Sequence, residues 1–263
     1  MKLDFSKYHG AGNDFILIDN RKNEIQLTNK QINFLCNRHL GIGADGLMIL
    51  NSHPTFDFKM QYFNSDGFEG SMCGNGGRCI TAFAADLGII QNEAHFIAVD
   101  GEHKSWINTK LSVGNYDISL KMIDVNWIEK DDLFYFVNTG SPHYVALRTN
   151  IDKIDMELEG KNIRYSDRFA PGGTNVNFIE LKDNIIYIRT YERGVEAETL
   201  ACGTGATAAA LCLAVEQNLF NGELHINALG GTLRVRFQRL TNSFSNIILS
   251  GPAQLVFKGI LEL

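Results

Sequence analysis

The sequence predicts an α+β fold of two pseudo-symmetric halves, each a curved mixed or antiparallel sheet wrapped around a central helix. Three observations carry that prediction. The first is a repeated phrase, since Cys73-Gly74-Asn75-Gly76 and Cys202-Gly203-Thr204-Gly205 each open a run with the character of a buried helix. Three more pairs recur in the same order: Gly12 with Gly140, Gly43 with Gly173 and Asn64 with Glu192. They are separated by 128, 130 and 128 residues, against 129 for the two cysteines. Near-constant separation across four phrases marks an internal duplication better than glycine turns recurring by chance. The second observation is that Gly205 to Val215 holds no charged residue on any face, so a helix there must be covered on every side. The third is the supply of short alternating segments, which provides a sheet to cover it.

The first half opens with strand-like runs at Leu3 to Tyr8 and Phe15 to Asp19, then a helix that Thr28 caps and that runs to about Asn37. Phe56, Phe58, Met60 and Tyr62 alternate with Asp57, Lys59 and Gln61, the period of a half-buried strand. That strand leads to Asn64 and, through a turn at Asp66-Gly67, to Cys73. Beyond Gly74, the residues Ile80, Phe83, Ala84 and Leu87 recur at helical spacing and Gly88 provides a stop. The second half repeats the plan with strands at Tyr116 to Met122, Phe134 to Val137, Val176 to Leu181 and Ile185 to Tyr191, followed by the helix after Cys202. Gly114 to Asn115 is expected near the crossover, and the alternating run within Gly251 to Leu263 is expected to return to the first half. The expected domains are thus 1–115, carrying Cys73 and completed by 252–263, and 116–251, carrying Cys202.

Composition narrows the function. The chain has 263 residues, enough for two units of this size, and 24 basic against 30 acidic residues give a net charge of −6. Lys and Arg are scattered, so nucleic acid and acidic membrane surfaces are poor partners. The N-terminus shows no secretory signal, since Met1 to Phe5 enters an alternating strand directly. No run approaches the apolar length of a membrane span. A soluble, cytoplasmic protein is expected. Five cysteines are an odd number in a chain this long, which favours free thiols over a disulfide framework. Cys73 and Cys79 are separated by five residues, and no CxxC or Cys/His cluster offers a zinc site; no metal is expected.

The two helix-start cysteines allow a particular chemistry. A free cysteine has a pKa of about 8.5, and a helix N-terminus lowers it because exposed N–H groups stabilise the thiolate. Glycines at 74 and 76, and again at 203 and 205, let the backbone approach a bound carboxylate closely while holding sulfur beside the adjacent carbon. Two such starts on either side of one cleft permit one thiolate to remove a proton from a carbon while the opposing thiol delivers one to its other face. The outcome is stereochemical inversion at the α-carbon of an amino acid. Enzymes commonly acidify that carbon with pyridoxal phosphate on a lysine. No lysine lies between Lys59 and Lys104 or between Lys182 and Lys258, so the expected route is cofactor-independent, with helix-start amides stabilising the enolate. For Cys36, Cys79 and Cys212, inside helical patterns, the better reading is apolar filler.

These residues resemble a known family. Phe63-Asn64-Ser65-Asp66-Gly67, Cys73-Gly74-Asn75-Gly76-Gly77-Arg78-Cys79, Glu192-Arg193-Gly194 and Cys202-Gly203-Thr204-Gly205 are similar to motifs of diaminopimelate epimerase, and Lys7 to Phe15 resembles its N-terminal signature. The resemblance extends to Gly251-Pro252-Ala253 and so covers essentially the whole chain. It implies a cytoplasmic isomerase, commonly homodimeric, that interconverts LL- and meso-diaminopimelate on the way to lysine. It further implies that Cys73 and Cys202 are the acid/base pair, supported by His143 and Glu192. Gly74, Asn75, Gly203 and Thr204 would bind the reacting carboxylate, and Asn13, Asn64, Asn175 and Arg193 the distal groups, with Glu192 taking an ammonium.

The bland readings are an ordinary surface ion pair for Arg193 with Glu192, and turn residues for Asn64, Asn175 and His143. The chain also departs from the family at three places. Ser141 replaces the usual Asn in Gly140-Ser141-Pro142-His143, Gly46 stands where some members have Gln, and one extra residue falls within 195–198. Competing functions are a two-cysteine proline or hydroxyproline racemase, a non-catalytic binding relative, and a thiol hydrolase using Cys73 with His143 as base.

Overall fold

The computed structural model describes residues 2–70 and 73–263; Met1, the first residue of the stretch to Phe5 read as entering a strand, lies outside them. The chain divides into two compact units, 1–120 with 251–263, and 121–250.

The first unit contains β1 (Lys2–Gly10), β2 (Asn13–Asp19), α1 (Asn29–Cys36), β3 (Gly46–Asn51), β4 (Phe58–Asn64), β5 (Glu69–Gly70), α2 (Gly74–Asp86), β6 (Glu93–Ala98), β7 (Gly101–Ser112) and β8 (Asn115–Lys121). Its sheet is mixed: β1 pairs antiparallel with β2, β2 parallel with β3, β3 antiparallel with β4, β4 parallel with β6, and β6, β7 and β8 follow antiparallel. Ile16 and Ile18 on β2 and Leu47 and Ile49 on β3 share a buried cluster with Ile32, Leu35 and Cys36 of α1. The alternate residues of β2 project to the other face, the side on which α2 packs against β1, β2, β3 and β7. Helices on both faces explain why both strands are buried almost continuously instead of alternating. Thr28 caps α1 as its position implies: its hydroxyl accepts the Gln31 N–H, and Gln31 Oε1 accepts the Thr28 N–H.

The second unit contains β9 (Ile128–Lys130), β10 (Tyr135–Asn138), β11 (Pro142–Leu147), α3 (Met156–Arg164), β12 (Asn175–Lys182), β13 (Ile185–Glu192), β14 (Ala197–Thr199), α4 (Gly203–Glu216), β15 (Asn221–Ala228), β16 (Gly231–Leu240) and the opening part, to Ser250, of β17 (Ser243–Glu262), whose remainder belongs to the first unit. Here β10 to β17 repeat the pairing order of β1 to β8. β10 is antiparallel to β11, β11 parallel to β12, β12 antiparallel to β13, β13 parallel to β15, and β15, β16 and β17 follow antiparallel. On β11 and β12, Tyr144, Ala146, Val176 and Phe178 join Met156 of α3 in one cluster. The alternate set, His143, Val145, Asn175 and Asn177, therefore projects to the face where α4 packs against β11, β12 and β13. Helix α4 is buried from Gly205 through Ala214, on every side.

Two sequence expectations are corrected. The run expected as the first strand of the second half is β8, which pairs with β7 and, at Asn115 to Ile118, with Gly251 to Gln254 of β17, all in the first unit. Gly114, with φ of +72°, is the tight turn of the β7–β8 hairpin and not a crossover. A hairpin glycine and a linker glycine look alike in sequence, because both are chosen for the same left-handed backbone. From Gly251 onward β17 pairs with β8 and β1. Among the described residues no helix is long and apolar enough to cross a membrane.

A helix without a water-facing side is sensitive to any loss of volume. Leu211→Ala, at a fully buried α4 position, is expected to cost about 2–5 kcal/mol in urea denaturation. Leu158→Ala, 60 % exposed on α3, should cost no more than about 0.5 kcal/mol.

Candidate active site

Each candidate catalytic cysteine is the N-cap of the buried helix of its own unit. Cys73 precedes α2 with φ −99° and ψ 149°, and Cys202 precedes α4 with φ −115° and ψ 116°, both extended. The N-cap is where a side chain meets the N–H groups that have no acceptor within the helix. The Cys73 sulfur takes that role directly, accepting the Gly76 N–H at 3.1 Å, a bond that a thiolate accepts more strongly than a thiol. The Cys202 sulfur instead lies 3.4 Å from the hydroxyl of Thr204. Cys73 is partly exposed, whereas Cys202 is buried, as are the other three thiols, which start no helix. Burial pushes Cys36 up to about 12 and holds Cys79 and Cys212 far above the ordinary thiol range, so they are inert packing groups.

In the first unit a chain of oriented amides surrounds Cys73. Arg78, wholly buried on α2, donates to Asn75 Oδ1 at 2.7 Å and to the Gly74 carbonyl at 3.1 Å. Asn75 must then present its Nδ2, which donates to Asn13 Oδ1 at 3.2 Å, and the Cys73 thiol lies 3.8 Å from the same oxygen. Asn13 in turn donates through Nδ2 to Asp45 at 2.6 Å. Asp45 and Asp14 are both held by Arg38, and Asp14 also by the buried Lys7. Burial alone would raise Asp14, but the hydrogen bonds from Arg38 and Lys7 outweigh it and hold the carboxylate at about 2. Asn13, Gly74, Asn75 and Cys73 are thus brought together. Asn64 ends β4 at the exposed turn toward Gly67 and stands outside this hydrogen-bonded chain.

In the second unit His143 is the buried centre. Its Nδ1 lies 3.1 Å from Asn177 Nδ2, and its Nε2 lies 2.9 Å from the Thr204 hydroxyl and 3.0 Å from that of Ser141. Complete burial pushes the imidazole down to about 3, with the positive charge of Arg193 adding to it. A neutral ring with both nitrogens engaged is a poor general base, which disfavours the thiol-hydrolase alternative. Asn175 donates to the Pro142 carbonyl at 2.9 Å and to Ser141 at 3.2 Å, and accepts the Arg193 N–H at 2.9 Å. Glu192 accepts the Thr199 hydroxyl at 2.9 Å, and the side chain of Arg193 reaches the exposed surface at Gly172. Among the described residues no three His, Cys, Asp or Glu side chains gather so as to hold a metal ion.

The three departures from the family motif have physical accounts. Ser141 supplies a hydroxyl that bonds to His143, Thr204 and Asn175. A Cβ on Gly46 would meet the Tyr62 ring at 2.6 Å and the Phe63 carbonyl at 2.7 Å, so no side chain fits there. The extra residue near 195 is absorbed in the β13–β14 turn, where Glu196 sits at φ +60° and its carboxylate gathers Gly194, Tyr165 and Arg164. Arg78, Asp45 and Asn177 were not singled out from sequence. For Asn177 a signal existed: it lies two residues from Asn175, on the strand face that continues with the apolar Ile179 and Leu181.

The buried imidazole gives a pH signature. The unfolded chain takes up its proton near 6.5 while the folded chain refuses it to about 3. Stability from this group is therefore complete above 6.5 and is lost as pH falls through that window. Between pH 7 and pH 5 the wild-type protein is expected to lose roughly 2 kcal/mol more than His143→Gln, measured by urea unfolding at the two pH values.

A sequence model of the family described as diaminopimelate epimerase matches residues 5–118 and 135–256. A diaminopimelate epimerase of Flavobacterium psychrophilum is 48 % identical over 257 residues, covering 96 % of this chain and 97 % of that protein. One of Chlorobaculum tepidum is 42 % identical, covering 97 % and 99 %. Solved structures share the fold at low identity. A PhzF-family phenazine biosynthesis protein of Bacillus anthracis superposes with a TM-score of 0.80 at 14 % identity, covering all of both chains. A probable proline racemase of Agrobacterium radiobacter K84 superposes with a TM-score of 0.70 at 14 % identity, covering 99 % and 92 %. The chain belongs to the diaminopimelate epimerase family.

Proposed function

We propose that this epimerase interconverts LL- and meso-2,6-diaminopimelate by two-base proton transfer, with Cys73 and Cys202 as the two proton carriers. One thiolate takes the α-proton, and the other residue, as thiol, delivers its proton to the opposite face of the resulting carbanion. The pair ends with its protonation states exchanged, and which cysteine begins as the base depends on the direction of reaction. The electron pair left by the broken C–H bond is delocalised onto the carboxylate, where the helix-start amides take the place of a pyridoxal electron sink, and it returns to carbon when the second proton arrives. The observation that carries the reading is the equivalent placement of two thiols at the N-caps of two buried helices, in units with the same strand pairing order.

In this reading the first-turn amides at Gly74 and Asn75 and at Gly203 and Thr204 bind the reacting carboxylate as it gains enolate character. His143 and Glu192 support the thiols. Asn13, Asn64, Asn175 and Arg193 bind the distal carboxylate and amine, with Glu192 facing an ammonium. Each sheet is taken to curve around its buried helix, which keeps water from the helix start and strengthens these interactions. The family supports a place in lysine biosynthesis, a cytoplasmic location and a homodimer. Nucleic acid and membrane have no part in the proposal.

The test is solvent-deuterium incorporation into LL-diaminopimelate, followed by NMR without added cofactor. Deuterium should appear at one α-carbon with conversion to the meso form. Cys73→Ala and Cys202→Ala should each lower turnover by at least about a thousandfold, since a proton carrier acting in the transition state contributes on that order. Absence of exchange by reduced, folded protein would reject this substrate, and the same assay on proline and hydroxyproline would then examine the racemase alternative.

A further inference from the structure

We infer that Asn177 is a positioning residue: it fixes His143 as the tautomer protonated on Nε2 and, through that nitrogen, aims the Thr204 hydroxyl at the sulfur of Cys202. The inference rests on the assignment of Cys202 as a proton carrier.

The argument follows donors and acceptors outward from backbone groups, whose roles are fixed. Asn177 Nδ2 lies 2.9 Å from the Tyr144 carbonyl, which can only accept, so the amide group facing it is the NH2. Its Oδ1 then accepts the hydroxyl of Thr190, its neighbour across the β12–β13 ladder, at 3.0 Å. The same NH2 is 3.1 Å from His143 Nδ1, so that nitrogen is an acceptor and the proton of the neutral ring sits on Nε2. A second anchor comes from Asn175. Its NH2 is fixed by the Pro142 carbonyl and its oxygen by the Arg193 N–H, so it donates to Ser141 Oγ, leaving the Ser141 proton for Thr204.

Thr204 Oγ1 therefore receives the Ser141 hydroxyl at 3.2 Å and His143 Nε2–H at 2.9 Å, a proton it shares with Ser141 Oγ at 3.0 Å, so neither neighbour can accept from Thr204. Its own proton is left to point at the Cys202 sulfur, 3.4 Å away, where it stabilises a thiolate. In the opposite tautomer Nε2 would accept the Thr204 proton, and Thr204 could then only accept from Cys202, which favours the thiol. Asn177 sets the polarity of the whole chain.

The room around Asn177 agrees with a fixed amide. A Cβ on Gly205, the second glycine of the Cys202 motif, would come within 2.6 Å of Asn177 Oδ1. The glycine keeps space for that oxygen beside the first turn of α4, and Asn177 itself is wholly buried.

The experiment uses the full-length protein labelled with 15N. Long-range 1H–15N correlation of the histidine rings, with His143 identified by the signals missing in His143→Gln, should show His143 protonated on Nε2 only. A ring protonated on Nδ1, or an averaged mixture, overturns the inference. Next, iodoacetamide modification of Cys202 and Cys73 near neutral pH is followed by peptide mass spectrometry in Asn177→Leu, with circular dichroism confirming the fold. Cys202 is expected to slow by about three- to tenfold, the loss of one hydrogen bond to a thiolate partly offset by its greater intrinsic nucleophilicity, while Cys73 keeps its rate. In a Thr204→Val background Asn177→Leu should add no further slowing. An unchanged Cys202 rate in folded Asn177→Leu overturns the inference. If that variant does not fold, Thr204→Val alone decides: slowing of Cys202 supports the chain and a wild-type rate overturns it. The ring tautomer is read without turnover, so failure of the proposed reaction would leave this result standing and the two can be told apart.

Discussion

Each unit depends on a helix that has no face for water and that begins at a cysteine. Apolar or small side chains all around α4, and nearly all around α2, commit both helices to burial. A buried helix start is costly unless its first N–H groups find acceptors. In an enzyme those acceptors can be left to the substrate, and a thiol set at the same point then stands beside whatever carboxylate arrives. In the proposed reaction, burial, anion binding and proton transfer all follow from one placement, which both units share.

The two units reach this arrangement by different polar means. Around Cys73 the orientation of the amides begins at Arg78, a buried cation on the same helix, and passes through Asn75 and Asn13 to Asp45. Around Cys202 it begins at backbone carbonyls and passes through Asn177, His143 and Asn175 to Thr204. The first unit brings positive charge close to its sulfur, and the second builds from neutral groups, with His143 kept uncharged by burial. Two thiols that exchange the roles of acid and base, as proposed for Cys73 and Cys202, need not have identical surroundings. Each needs only to be stable in both protonation states during a cycle.

Much of this was legible in the sequence because it rests on local chemistry. The capping Thr28, the helix starts at Cys73 and Cys202 and the stop before Gly88 are set by neighbouring residues, and the structure places them accordingly. What the sequence concealed depends on partners far along the chain. Asn177 reads as one polar residue in an alternating strand until Thr190 and His143 are beside it. Asp45 gains its meaning from Asn13 and Arg38. Ser141 appeared as the loss of an amide, yet its hydroxyl meets three partners, which only the geometry could reveal. The misplaced strand at β8 has a similar cause: alternation locates a strand but does not say which sheet it joins.

The central claim is that helix-start placement separates two thiols from the other three. It is tested most directly by measuring, residue by residue with peptide mass spectrometry, how fast iodoacetamide modifies all five cysteines of the native protein near neutral pH. The account predicts that Cys73 and Cys202 react, with Cys73 the faster because it is the more exposed, while Cys36, Cys79 and Cys212 stay unmodified until the protein unfolds. Modification of Cys79 or Cys212 at a rate matching Cys73, or native protein in which neither Cys73 nor Cys202 reacts, would contradict it.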